Sequence, residues 1–220
     1  MKKILLCLAL VCAAGQGFGQ EGEKPDALAA YRRGRDAEGR RPAEAERYYA
    51  DSVRICNDEI AQNRATRDTY TVLCWTLQRQ KKYRDVLSWG ERGRGLYPDD
   101  LRIVEIMGEA YFYLDNYAAS LRSMQRYING LPRGDRAANA FFFSGEIYRL
   151  QKKFRKADIA YSAAVNLERS NALWWYRLGL AREGAGENAD AAAAFKQAIQ
   201  LNPNYPEAKD GLARVQAKGT

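Results

Sequence analysis

The sequence predicts an all-α fold, an α-solenoid of stacked helix-turn-helix hairpins closed by a C-terminal capping helix. Three observations carry this. First, Trp175, Tyr176, Arg177, Leu178 and Gly179, followed by Ala191, Phe195, Ala198 and Pro203, set large and small residues at the spacing of a two-helix hairpin. Second, shifting that frame back by 34 residues finds Phe141, Ser144, Gly145, Tyr148, Ala157, Tyr161 and Ala164. A period of that length marks stacked helical units, a class that usually grips other molecules rather than reacting with them. Third, 46% hydrophobic residues with only 6 prolines in 220 argue against wholesale disorder.

In chain order, residues 1–19 read as an export signal. Lys2 and Lys3 form a charged start, and Ile4 to Ala14 is an apolar run of signal-core length, too short to span a bilayer. Gly17 and Gly19, or Ala13 and Gly15, offer cleavage sites. Cys12 offers a second reading, lipid attachment, but Val11 stands where such signals carry a small residue, so simple cleavage is favoured. The mature protein is therefore expected to be exported, in the periplasm or cell envelope. Residues 20–24 are a linker, and 25–66 form a divergent N-terminal hairpin with helices near 25–37 and 42–62. There Ala45, Tyr49 and Ser52 echo the second helix of the repeat.

Four units follow over 67–205: 67–100, 101–134, 138–171 and 172–205, with Asp135 to Ala137 as a small insertion. Small residues at Gly108, Gly145 and Gly179 let the second helix of a hairpin approach closely, and Ala164 and Ala198 do the same for the helix that follows. Tyr111, Tyr148, Tyr161 and Phe195 fill the gaps. Pro98, Pro132 and Pro203 end the second helices by removing a backbone donor. Gly90 and Gly93 should weaken the second helix of the first unit. Residues 206–220 supply the capping helix and tail, where Leu212 and Val215 oppose Lys209, Asp210 and Arg214.

The fourth unit, with Trp175, Leu178, Gly179, Ala191, Phe195, Ala198 and Pro203, resembles the tetratricopeptide repeat (TPR) family. It departs at Arg182, where Tyr is usual, and the third unit has Arg169 in place of the closing Pro. The resemblance covers roughly residues 67–205 and implies a right-handed solenoid whose first helices line a concave groove. By that resemblance, groove positions are Asp68, Thr71, Trp75 and Gln78 in the first unit and Arg102, Glu105, Glu109 and Phe112 in the second. Asn139, Phe142, Glu146 and Arg149 follow in the third, and Leu173, Tyr176, Leu180 and Glu183 in the fourth. Trp75, Phe112, Phe142 and Tyr176 then make an aromatic track, the kind of anchor that dominates protein interfaces. Any one of these rings can instead pack between neighbouring first helices. The family's clamp for a terminal carboxylate is absent, because its places hold Trp75, Glu105, Glu109 and Phe142.

Composition narrows the function. The chain has no histidine, which excludes histidine general-base catalysis, His-containing triads and most zinc sites. No glycine-rich phosphate loop is present. No cofactor is expected, and the chain is expected not to be an enzyme. Losing Lys2 and Lys3 with the signal lowers the net charge from +8 to +6, modest for a nucleic-acid binder. Basic turns at Lys81, Lys82 and Arg84 and at Lys152, Lys153, Arg155 and Lys156 suggest a positive stripe for peripheral contact with an anionic membrane surface or an acidic partner. Such runs are more often simply solvated. Cys56 and Cys74 lie equally far from residue 65, so on antiparallel helices they allow a disulfide; two small buried residues is the favoured reading. The expected role is a non-catalytic scaffold or adaptor of the bacterial cell envelope that docks a protein or peptide partner. The alternative is a small-molecule-binding accessory subunit of a transport system. The sequence does not set the oligomeric state.

Overall fold

The computed structural model describes residues 26–218, so the apolar leader, Cys12 and the 20–24 linker lie outside the described residues. Within that span the chain forms five helical hairpins and a final helix, with no strand among the described residues. The hairpins are α1 (Ala27–Ala37) with α2 (Pro42–Ala61), α3 (Arg67–Arg79) with α4 (Tyr83–Leu96), and α5 (Leu101–Tyr113) with α6 (Tyr117–Gly130). They continue with α7 (Ala137–Leu150) and α8 (Phe154–Leu167), then α9 (Ala172–Gly184) and α10 (Asn188–Leu201). Helix α11 (Pro206–Ala217) closes the array.

Side chains that accept from free backbone N–H groups start many of these helices. Asp26 caps α1, Asp100 caps α5, Asn116 caps α6 and Asn171 caps α9. Thr66 and Thr69 form a reciprocal capping box on α3. The turns inside the four hairpins from α3 to α10 share one backbone device. Lys81, Asp115, Lys152 and Gly186 take the left-handed conformation, with φ of 58°, 57°, 56° and 83°. These four recur at the repeat spacing once the three-residue insertion is allowed for, so the period is a property of the backbone as well as of the side chains.

Each helix packs against its chain neighbours. The odd-numbered helices also touch one another (α1 with α3, α3 with α5, and on to α9 with α11), whereas no two even-numbered helices do. The first helices are therefore crowded on the inner side and the second helices spread on the outer side. That is the geometry of a right-handed α-solenoid with a concave wall.

Close approach within a hairpin depends on missing side-chain volume. A Cβ at Gly179 would lie 2.5 Å from the Phe195 ring, so α9 and α10 meet at their present spacing only because that position is glycine. Gly90 is used the same way: α4 runs unbroken, and the space opposite Gly90 is filled by Met107 from α5. Buried serines tie the helices of a pair together. Ser52 donates to the Ala27 carbonyl at 2.9 Å, and Ser120 to the Gly108 carbonyl at 2.7 Å. Cys56 and Cys74 are both buried and both free thiols, pushed up to about 12 by burial; the Glu59 charge adds to this at Cys56, and Cys56 and Asp100 add to it at Cys74.

At the C-terminal end α11 sits beside α9 and α10, where the first helix of another unit would stand. Val215 and Leu212 cover Phe195, while Arg214 and Lys218 pair with Glu183 at 2.9 and 3.0 Å. The cap therefore occupies the inner face of α9. No helix among the described residues is long and apolar enough to cross a membrane.

Candidate functional site

The concave wall holds one large cavity of about 840 Å³. Helix α1 contributes Tyr31 and Arg35, with Glu38 just beyond it. Trp75, Gln78 and Arg79 come from α3, Lys81 from the turn that follows and Tyr83 from the start of α4. Helix α5 supplies Arg102, Ile106, Glu109 and Tyr113, spaced as one helical stripe. The α6–α7 loop gives Leu131, Gly134, Asp135 and Arg136. Asn139, Phe142 and Phe143 of α7 and Trp174 of α9 complete the far side.

Aromatic pairs make up much of the lining. Tyr83 and Tyr113 stack with ring centroids 4.6 Å apart and an interplanar angle of 10°. Tyr31 lies 5.8 Å from Trp75, and Phe142 stacks on Trp174 at 5.1 Å and 16°. Tyr113 remains 48% exposed, so its ring is available to another molecule.

The polar floor is a network centred on Arg136. Its guanidinium donates through Nε to Glu105 Oε2 at 3.1 Å and also holds Glu109. Gln78 donates to the second Glu109 oxygen at 3.0 Å. With its amide oxygen turned toward Arg136, the orientation that satisfies both groups, Asn139 accepts from both terminal guanidinium nitrogens at 2.7 and 2.8 Å. Burial pushes the Glu105 carboxyl well above the ordinary carboxylate range, and the neighbouring Glu109 charge adds to this while Arg136 opposes it. For Arg136 burial works against the charge, but Glu105 and Glu109 more than offset it and raise its affinity for the proton. Two carboxylates facing one arginine is an arrangement that favours a retained proton.

The predicted groove residues separate into two groups. Trp75, Gln78, Arg102, Glu109, Asn139 and Phe142 line the cavity. The other ten do not. Glu105 is wholly buried beneath Arg136. Phe112 is wedged against Phe143 at 5.1 Å, edge to face, and against Tyr117. Glu146 is buried and paired with Arg149 at 3.0 Å and Arg177 at 3.1 Å, and it accepts from the Tyr161 hydroxyl, which also accounts for Arg149. Tyr176 packs on Phe195 and on Tyr205 at 5.1 Å, the connection into the cap. The aromatic track expected from four repeats is thus shortened: Phe112 fills an inter-repeat gap and Tyr176 is taken by the C-terminal end.

Among the remaining positions, Asp68 and Asp100 both pair with Arg102, at 2.8 and 2.7 Å, and Thr71 donates to Asp100 at 3.1 Å. The basic turns are the α3–α4 and α7–α8 turns. Between Lys81–Lys82 and Lys152–Lys153 in the array comes the α5–α6 turn, with Asp115 and Asn116. Sequence reasoning missed Arg136, Tyr31, Tyr83 and Tyr113. The signal available for Tyr113 was its place four residues after Glu109 on the same helical stripe.

A model of the tetratricopeptide repeat matches residues 172–205. That stretch, α9 with α10, is similar to one such repeat, and the stacked hairpins share the fold of TPR solenoids. The array superposes on the crystal structure of MamA protein with a TM-score of 0.62 and 19% identity, covering 80% of this chain and 92% of that one. The first TPR of Spaghetti (RPAP3), bound to the HSP90 peptide SRMEEVD, matches with a TM-score of 0.50 and 23% identity over 55% of this chain and 94% of that one. These likenesses show the fold. Among curated proteins, the mouse protein O-mannosyl-transferase TMTC1 is 24% identical over 119 residues, 54% of this chain. The match spans only 13% of the length of that relative.

Proposed function

We propose that this protein is a non-catalytic scaffold that holds a protein or peptide segment against its concave wall around Trp75, Gln78 and Tyr113. The observation that carries the reading is the cavity itself: an aromatic-lined, partly polar hollow of about 840 Å³ on the face the solenoid leaves open. Support comes also from the Spaghetti (RPAP3) TPR, which holds a peptide on the same fold. The floor charges are already paired internally, so they fix shape and hydrogen-bonding direction, while exposed Tyr113 and half-buried Trp75 supply contact area.

Phe142 is a poor probe because its ring is only partly exposed and also supports the fold by stacking on Trp174. Alanine at Trp75 and Tyr113 together should abolish recovery of a discrete crosslinked partner while leaving the far-UV signal of the folded protein intact. Unchanged recovery would remove the groove from consideration.

The proposed place of action is the bacterial cell envelope, after cleavage of an export signal at 1–19, with lipidation of Cys12 as the alternative. What supports this is the charged start and apolar run of the leader. Fractionation and the intact mass of the mature chain test it; a cytoplasmic protein beginning at Met1 would overturn it.

A further inference from the structure

The cations of the cavity are not distributed evenly, and most of them are already committed. Arg102 is shared by Asp68 and Asp100, and Arg136 by Glu105 and Glu109, so the floor carries no spare positive charge. The rim formed by the end of α1 and the α3–α4 turn differs. It presents Arg35, Arg79 and Lys81 against one lining acid, Glu38, which Arg79 holds at 3.2 Å. Arg35 has only a 3.9 Å approach to Asp36, with both side chains more than half exposed. Next to this rim stand Trp75 and the stacked Tyr83–Tyr113 pair. Glu109 is committed to Gln78 and Arg136, and Asp135 lies on the other edge, in the α6–α7 loop. Two exposed cations with little compensation, beside the exposed Tyr113 ring and the half-buried Trp75 and Tyr83, are complementary to carboxylates flanking an aromatic or large apolar side chain.

We infer that the groove takes an internal acidic segment of a partner protein, its carboxylates meeting Arg35 and Lys81 while an adjacent aromatic or large apolar side chain lies on Trp75 and Tyr113. This rests on the groove reading above and adds the partner's chemistry to it. A free chain end is not needed, because the recognising cations sit on the rim and the floor cations are saturated.

The probe is a random peptide library displayed with both ends fused, selected on the whole mature protein, followed by synthetic amidated peptides in fluorescence anisotropy. Enriched sequences should combine Asp or Glu with Trp, Tyr or Phe. The amidated and free-acid forms of one peptide should bind equally, and replacing its acids by amides should weaken binding about tenfold or more. Arg35→Glu with Lys81→Glu, both on exposed positions, should do the same, and raising salt should weaken the wild-type complex. Enrichment of basic or neutral sequences that still need Trp75 would overturn this inference and leave the groove reading standing. So would a requirement for a free terminal carboxylate, or Trp75-dependent dimers in sedimentation, which would assign the face to a second copy. No enrichment, or enrichment indifferent to Trp75→Ala, would overturn both.

Discussion

Arg136, in the loop before α7, reaches back to α5 and donates through Nε to the fully buried carboxylate of Glu105 at 3.1 Å. The same guanidinium holds Glu109 one turn further along α5. One residue of a three-residue insertion thus joins the second and third TPR units across the groove floor.

Removing that arginine leaves two buried carboxylates facing each other. Arg136→Met should cost about 2–4 kcal/mol in urea unfolding, toward the lower part of the range for a broken buried pair because Arg136 is partly exposed. Adding Glu105→Gln and Glu109→Gln should recover more than half of the loss. A double-mutant cycle with no coupling would show that the pair contributes nothing.

Stability should depend on pH through Glu105. Its carboxyl is raised in the folded state, by burial first and Glu109 second, so the folded chain binds a proton that the unfolded chain has released. Its contribution is fully present below the ordinary carboxylate value and is lost as pH rises toward the folded value. Asp100 is lowered because Arg102 outweighs the cost of its burial, and Glu183 is lowered chiefly by Arg214; their contributions are lost on acidification instead. Glu105→Gln should therefore flatten the alkaline side of a melting-temperature profile and leave the acid side unchanged.

Two glycines should respond with opposite sign. Gly179→Ala drives a Cβ into Phe195 and should cost about 1–3 kcal/mol by overpacking. Gly95→Ala, near the end of α4, meets nothing within 4 Å and should stabilise by up to about 1 kcal/mol through helix propensity. Chemical denaturation of the two variants side by side checks both.

The thiols of Cys56 and Cys74 are buried and pushed up to about 12, so neither should react readily with iodoacetamide at pH 8 in the native protein. Both should alkylate once the chain is unfolded, without a reductant. Mass mapping that found a 56–74 crosslink would contradict the free pair.

The TPR architecture was legible because each unit solves the same packing problem, so Gly145 opposite Tyr161 and Gly179 opposite Phe195 recur at a fixed interval. The groove was legible only in part. Register places Glu105 and Glu146 on the inner face, but their depth is decided by Arg136 and by Arg149, Arg177 and Tyr161. Arg136 falls in an insertion, outside the period, and its partners lie 27 and 31 residues earlier, so no local pattern announces it. Tyr176 has the right register too, yet Tyr205 and α11 cover that end, and coverage depends on which unit comes last.

Docking on the concave side is tested most directly by a photo-reactive amino acid placed at Tyr113, on the cavity wall, and in parallel at Ile159, the 71%-exposed residue of α8 outside the cavity lining. In native cells the probe at 113 should give a discrete higher-mass adduct that Arg35→Glu with Lys81→Glu diminishes, and the probe at 159 should give none. Adducts from 159 alone would place the partner on the outer helices and contradict a groove-binding scaffold.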